Sequence, residues 1–224
     1  MPRPLSQLIY SRIQDIPASP RIITLHRYNQ FAPDVQEYGL AAAPNGRVIG
    51  LESFKGVFVA REIVGYTWYL GPELQPSPIF FGENLSEIER FLWDEIDRQQ
   101  TDRAELPFLV GVGQGGIMAL GAAAAVPDLL SGVIAIEACL PVVGGWTPPL
   151  APLDGLPILI VDPPVVPETD GVLSGEKLAE TFTRWGGTVA REIAPAGAVP
   201  AELLGSWTAA QPIRFRDVSN EAVQ

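Results

Sequence analysis

The sequence predicts an α/β fold, a mostly parallel central sheet flanked by helices on both faces in three layers. Three observations predict it. Short apolar runs alternate along the chain with helical patterns, the order produced when parallel strands are joined by crossover helices. Several runs, such as 132–136 and 157–161, are apolar at almost every position, as in strands covered on both faces. One run, 107–112, ends in glycines and is followed at once by a small-residue helical pattern over 117–126, which leaves room only for a sharp turn. No internal repeat or linker-like stretch interrupts the alternation, so one domain is expected over 1–224, with 1–19 and 217–224 peripheral.

Residues 8–13 suit an edge strand, closed off by Pro17 and Pro20. Residues 21–25, Arg-Ile-Ile-Thr-Leu, read as a buried strand that runs into the polar loop His26-Arg-Tyr-Asn29. Pro33 and Asp34 suit a helix start, with Val35, Tyr38 and 40–43 supplying its apolar face. Asn45-Gly46 turns the chain into a strand over 47–51. Residues 54–72 are β-rich around Arg61-Glu62 and read as a hairpin or an excursion beside the site, and 72–78 are a Pro-rich loop. Ser86-Glu-Ile-Glu89 has capping-box spacing, and Ile88, Phe91, Leu92, Glu95 and Ile96 share a face, which predicts a helix over 86–99. Residues 101–106 read as a charged loop.

Beyond the turn, the small side chains of 117–126 let that helix lie close against the sheet. A strand over 132–136, a proline-rich loop over 141–154, a strand over 157–161 and an exit loop over 162–167 follow. An amphipathic helix over 173–185 is stopped by Gly186-Gly187, 188–193 form the last strand, and 200–211 suit a final helix. The polar tail from about Asp217 is expected to fray.

Charge and composition exclude several classes of function. With 26 acidic against 15 basic residues the chain carries −11, which repels phosphate backbones and anionic lipid, so nucleic-acid and membrane-surface roles are not expected. No apolar run reaches membrane-spanning length, and Met1-Pro-Arg-Pro-Leu-Ser-Gln7 lacks the basic and apolar regions of a secretion signal; a cytoplasmic protein is expected. One cysteine, Cys139, and one histidine, His26, leave no internal disulfide and no Cys- or His-built metal centre, and no cofactor is expected.

Ligands of such sheets bind beyond the carboxyl ends of the strands, which points to the loops 26–30, 113–116, 137–150 and 162–170. There the sequence reads Gly111-Val-Gly-Gln-Gly-Gly116 between a strand and a helix, the context of a nucleophile elbow. With Met118-Ala-Leu, Pro127-Asp-Leu-Leu-Ser-Gly-Val133 and Leu140-Pro141, this block resembles the carboxylesterase/phospholipase family of the α/β-hydrolase fold, and the resemblance extends more weakly over 20–195.

The resemblance implies a serine hydrolase frame without its serine hydrolase residues. The family's nucleophilic serine falls at Gly113, its acid at Pro163 in the shortened Asp162-Pro-Pro-Val-Val-Pro167 loop, and its histidine base at Ala198 in Pro195-Ala-Gly-Ala-Val-Pro200. Acyl-enzyme chemistry needs nucleophile, base and orienting group together, and none stands where the family keeps it. The backbone N–H groups that the family uses as an oxyanion hole fall at Gln114 and Tyr28, and backbone donors survive side-chain replacement. Arg27 stands where the family has glycine, and could reshape or block that pocket.

Other polar candidates remain open at this level. His26 matches a structural histidine and reads as packed rather than as a base. Glu137 follows a buried strand, and either faces the site, turns to solvent or pairs with Arg27. Cys139 is a thiol or a small core residue, Asp162 is an acid or a loop residue, and Trp146 is a candidate for the pocket wall with His26, Arg27, Gly113 and Cys139. Three functions are compatible: a non-hydrolytic relative that binds a small-molecule ligand or a protein partner, an enzyme with acid–base chemistry on Glu137 or Asp162, and a structural subunit, including a homodimer.

Overall fold

A computed structural model describes residues 6–16, 18–72, 74–165, 172–195 and 197–218. Its elements in chain order are β1 (Ile9–Gln14), β2 (Arg21–Leu25), α1 (Gln36–Ala42), β3 (Arg47–Glu52), β4 (Gly56–Val59), β5 (Glu62–Tyr66), α2 (Pro78–Asp97), β6 (Arg103–Glu105), β7 (Phe108–Val112), α3 (Gln114–Ala125), β8 (Gly132–Ile136), β9 (Pro157–Asp162), α4 (Gly175–Arg184), β10 (Thr188–Ile193), α5 (Ala201–Ala210) and β11 (Phe215–Asp217). Seven strands form one sheet in the order β1-β3-β2-β7-β8-β9-β10. Only β1 runs antiparallel, as the edge strand beside β3. The chain moves from β2 outward to β3 and later returns to the other side of β2 at β7, so the order reverses between β2 and β7. In open parallel sheets that reversal opens a crevice at the carboxyl ends, and here it falls at His26 and Gly113.

Alternate strand residues enter two separate cores. Ile23, Leu25, Leu109, Val133, Ile158 and Ile160 pack with α2, α3 and α4 on one face. Ile22, Val48, Val110, Ile134, Leu159 and Val161 pack with α1 and α5 on the other. Period-two alternation in a strand sends neighbours to opposite faces, and with both faces covered every position becomes apolar. Each such Leu, Ile or Val removed from water contributes about 1.5–3 kcal/mol. The small residues of α3 bring helices together: a methyl on Gly121 would sit 3.2 Å from the Phe81 ring of α2.

Three expectations are corrected. The helix expected over 86–99 begins at Pro78, so Ser86-Glu-Ile-Glu89 lies inside it. Pro78 has no N–H to leave unpaired in a first turn, and Phe81 of the added turns is buried, so tertiary packing extends the helix back to the Pro-rich loop. The charged segment 101–106 contains β6, and the tail begins as β11, because each supplies the other's antiparallel hydrogen bonds. Asp162 is the final residue of β9 and is buried, where an exit-loop residue was expected. The remainder of that loop from 166, and the tail from 219, lie outside the described residues.

Candidate functional site

The turn between β7 and α3 consists of Gly113 alone, with φ +54° and ψ −119°. Its N–H donates to the Ile136 carbonyl at 2.9 Å, and its carbonyl accepts from the Ile117 N–H at 3.0 Å, so strand, neighbouring strand and helix are hydrogen-bonded through one residue. Positive φ favours glycine here. The next glycines answer a different need, which is close approach. A Cβ on Gly115 would lie 2.2 Å from the Leu25 carbonyl oxygen, and one on Gly116 would lie 2.7 Å from the Ala138 Cβ. Gly-Gln-Gly-Gly therefore lets α3 start directly against the ends of β2 and β8.

Gln114 enters the crevice with its side chain as well as its backbone. Its Oε1 accepts from the Trp68 N–H at 2.8 Å and the Thr67 hydroxyl at 3.0 Å, and its Nε2 donates to the Tyr69 carbonyl at 3.2 Å. The amide thus ties the segment after the β4–β5 hairpin to the start of α3. Trp68 continues the network by donating its indole N–H to the His26 carbonyl at 2.9 Å.

His26 is fully buried at the end of β2. The Ser53 N–H donates to its Nε2 at 3.3 Å, which places the ring proton on Nδ1, and Nδ1 donates to the Arg27 carbonyl at 2.6 Å. Burial pushes its pKa down to about 4, against the raising effect of the bond to the Arg27 carbonyl. Both ring nitrogens are engaged with backbone, which is how a packed histidine is held.

Over Gly113 lies Arg27. The three heavy atoms nearest to where a Cβ at 113 would stand all belong to it: Cγ at 3.4 Å, Cβ at 3.8 Å and Nη1 at 3.8 Å. Its guanidinium grips Glu137 in a bidentate pair, Nη1 to Oε2 at 2.7 Å and Nη2 to Oε1 at 2.9 Å. The Gly197 N–H adds a third bond to Oε1 at 2.9 Å. One carboxylate therefore joins the loops that follow β2, β8 and β10. Hydrogen bonds from Arg27 hold the Glu137 carboxyl below the usual glutamate range, burial opposes this, and Gly197 reinforces it. In return Glu137 raises the Arg27 pKa. Glu137 has φ +50°, an uncommon backbone state for a residue with a side chain.

The structure thus brings Arg27, Gly113 and Glu137 together, with His26 and Gln114 immediately behind them. It does not bring every expected residue to that point. Asp162 pairs instead with Arg191 of β10, Nε to Oδ2 at 2.6 Å, and its Oδ1 is buried without a hydrogen-bond partner. Trp146 packs on Phe81 at 5.3 Å between ring centroids, on the α2 side, and Cys139 is buried in the same core. Tyr28 is 58% exposed in the turn after β2. Pro163 is half-buried just past β9, and Ala198 is exposed, its N–H bonded to the Pro195 carbonyl in a turn. Sequence reading did not find the Gln114 side-chain tether, the Gly197 donor or Arg191 as partner of Asp162. No local pattern signals them, because each contact joins segments far apart in the chain. Among the described residues, no three His, Cys, Asp or Glu side chains are grouped as a metal site would need. No described helix is long and apolar enough to cross a membrane.

No family model matches the sequence. It is 26% identical over 217 residues to the "Putative esterase NocK" of Nocardia uniformis subsp. tsuyamanensis, an alignment covering 86% of this chain and 60% of that protein. The chain thus spans only about three fifths of the length of that relative. Among solved structures it is similar to the Bacillus cereus carboxylesterase, with a TM-score of 0.71 at 14% identity over 91% of this chain and 93% of that one. It is also similar to a carboxylesterase from Mesorhizobium loti, with a TM-score of 0.67 at 15% identity over 85% and 88% of the two chains. The architecture is an α/β-hydrolase fold of the carboxylesterase type.

Proposed function

We propose that this esterase-like protein does not hydrolyse esters, and that it uses the retained elbow as a frame for binding a small ligand or a partner protein. The observation that carries the reading is Arg27 lying across Gly113 and locked to Glu137. In a serine hydrolase that space admits the nucleophile and the acyl group. Here the elbow residue has no side chain, and a guanidinium occupies the ground above it. The chain's one histidine supports the same reading, because both its ring nitrogens are bonded to backbone and it has no free nitrogen to take a proton from a nucleophile.

Acid–base chemistry on Glu137 or Asp162 draws less support. A general base works best with a pKa near the operating pH, and Arg27 holds Glu137 well away from it. Asp162 is committed to Arg191. A scaffold or homodimer role is supported by exposed apolar residues, Phe58, Val59 and Ile63 on the β4–β5 hairpin, Leu70 and Ile79 after it, and Val142 and Leu150 in the loop after β8.

The test is turnover of p-nitrophenyl acetate and butyrate by purified protein. The expected rate equals that of buffer. Clear turnover that disappears on substitution at Arg27, Gln114 or Glu137 overturns the proposal.

A further inference from the structure

We infer that Glu137 holds the place of a ligand's carboxylate on Arg27, and that this site takes a small carboxylate anion by exchanging it for Glu137. The inference rests on the non-hydrolytic reading and gives its ligand a chemical class.

Three observations point to it. First, the Arg27 fork is already arranged for a carboxylate, with two parallel bonds at 2.7 and 2.9 Å. Bidentate geometry of this kind selects planar carboxylates over spherical anions. Second, the pair can be reached from solvent. The Arg27 and Glu137 side chains are 29% and 16% exposed, whereas the comparable Asp162 is 1% exposed and sealed against Arg191. Third, the Glu137 backbone is anchored independently of the pair, its N–H donating to the Val161 carbonyl at 2.8 Å, so the side chain can leave Arg27 while the turn after β8 keeps its strand bond. The exchange replaces one carboxylate by another, so Arg27 loses no charge partner. The departing Glu137 moves to water, where a carboxylate is well solvated. The positive end of the twelve-residue helix α3 opens at the same point, beside Gly113, and adds to the attraction for an anion.

Internal competition sets the expected pattern. A ligand that must displace Glu137 binds more weakly by the fraction of molecules in which Arg27 is vacant. Removing the competitor should therefore tighten binding about tenfold or more.

The experiment uses the full chain at pH 7, with sodium acetate and sodium butyrate as probes and sodium chloride at matched ionic strength as control. Thermal unfolding and titration calorimetry are read on wild type, Glu137→Ala, Glu137→Gln and the double variant Arg27→Gln/Glu137→Ala. The wild type should show weak saturable binding of carboxylate and none of chloride. Glu137→Ala should bind at least about tenfold more tightly and regain Tm on adding acetate, while the double variant should do neither. If Glu137→Ala does not fold, Glu137→Gln takes its place, since its amide still accepts from the Gly197 N–H but leaves the Arg27 charge unpaired. The inference is overturned if wild type shows no carboxylate-specific binding, if removal of the Glu137 charge gives no gain over chloride, or if the double variant responds equally. Ester turnover is measured on the same samples. Turnover with carboxylate binding intact sinks the non-hydrolytic reading alone, and loss of carboxylate binding without turnover sinks this inference alone.

Discussion

The Trp68 indole stacks on the His26 imidazole at 4.9 Å between centroids, and its N–H donates to the His26 carbonyl at 2.9 Å. This places the chain's one histidine beneath a tryptophan, between two backbone groups, in an electrically neutral state. A pH dependence follows. Burial lowers the folded-state pKa to about 4 from an ordinary 6.5, so between those values the unfolded chain binds a proton that the folded chain does not. Stability is therefore full above about pH 6.5 and falls as pH drops toward 4, by about 3 kcal/mol across the window. Urea midpoints from pH 7.5 to 4.5 measure the slope, and a His26→Gln variant should flatten it. The imidazole resonances of the folded protein should stay those of a neutral ring at pH 5.5.

Gln114 should matter for stability more than a polar residue at a helix start usually does. Gln114→Ala deletes three bonds to residues 67–69 and leaves the Trp68 N–H buried without this acceptor, while the Tyr69 carbonyl keeps its bond from the Thr67 hydroxyl at 2.8 Å. The expected loss is about 1–3 kcal/mol, the cost of one stranded backbone N–H. Hydrogen exchange should show faster opening of residues 67–69. A loss below 0.5 kcal/mol would show that the tether contributes nothing.

Gly115→Ala tests the close approach of α3 to β2. The new methyl group meets backbone at 2.2 Å, which cannot move aside as a flexible side chain could. Overpacking of this kind costs about 1–3 kcal/mol or more. Gly82→Ala is the control, since a Cβ there meets nothing within 4 Å. It should be neutral or slightly stabilising, because alanine favours the helix. Denaturant melts of the pair decide it.

Gly113→Ser restores a hydroxyl to the elbow and should not restore hydrolysis. Its Cβ would contact Arg27 at an ordinary 3.4 Å, so the side chain fits, while the φ of +54° adds strain on the order of 1–3 kcal/mol. The variant should fold, melt at lower temperature and leave p-nitrophenyl acetate untouched, because no histidine nitrogen is free to activate the serine. An acetyl-enzyme seen by mass spectrometry would contradict this.

Loss of the Glu137 charge should show in acid. Its folded-state pKa lies below the ordinary glutamate value, so its contribution is present above that value and disappears as pH falls through the lowered one. Comparing wild type with Glu137→Gln at pH 7 and pH 3.5 checks the sign: the stability gap between them should narrow at the lower pH.

By itself the sequence determined what depends on neighbours in the chain. Apolar runs set the sheet strands β2, β3, β7, β8, β9 and β10, small residues set α3 against the sheet, and Gly111-Val-Gly-Gln-Gly-Gly116 set a strand, a sharp turn and a helix, because periodicity and glycine conformation act within a few residues. Glu137 was legible as an oddity at a strand end with Arg27 as one candidate partner, but which of its alternatives it takes was not. Arg27 lies 110 positions away, and only the sheet, by placing β2, β7 and β8 side by side, brings their loops together over Gly113. The same holds for Gly197 on Glu137, for Arg191 on Asp162 and for β6 on β11. A backward extension of α2 to Pro78 likewise came from packing, which outweighs a local capping signal when added turns can bury aromatic side chains. What the elbow faces was therefore decided in three dimensions, by which charged side chain could reach the space that a missing side chain left open.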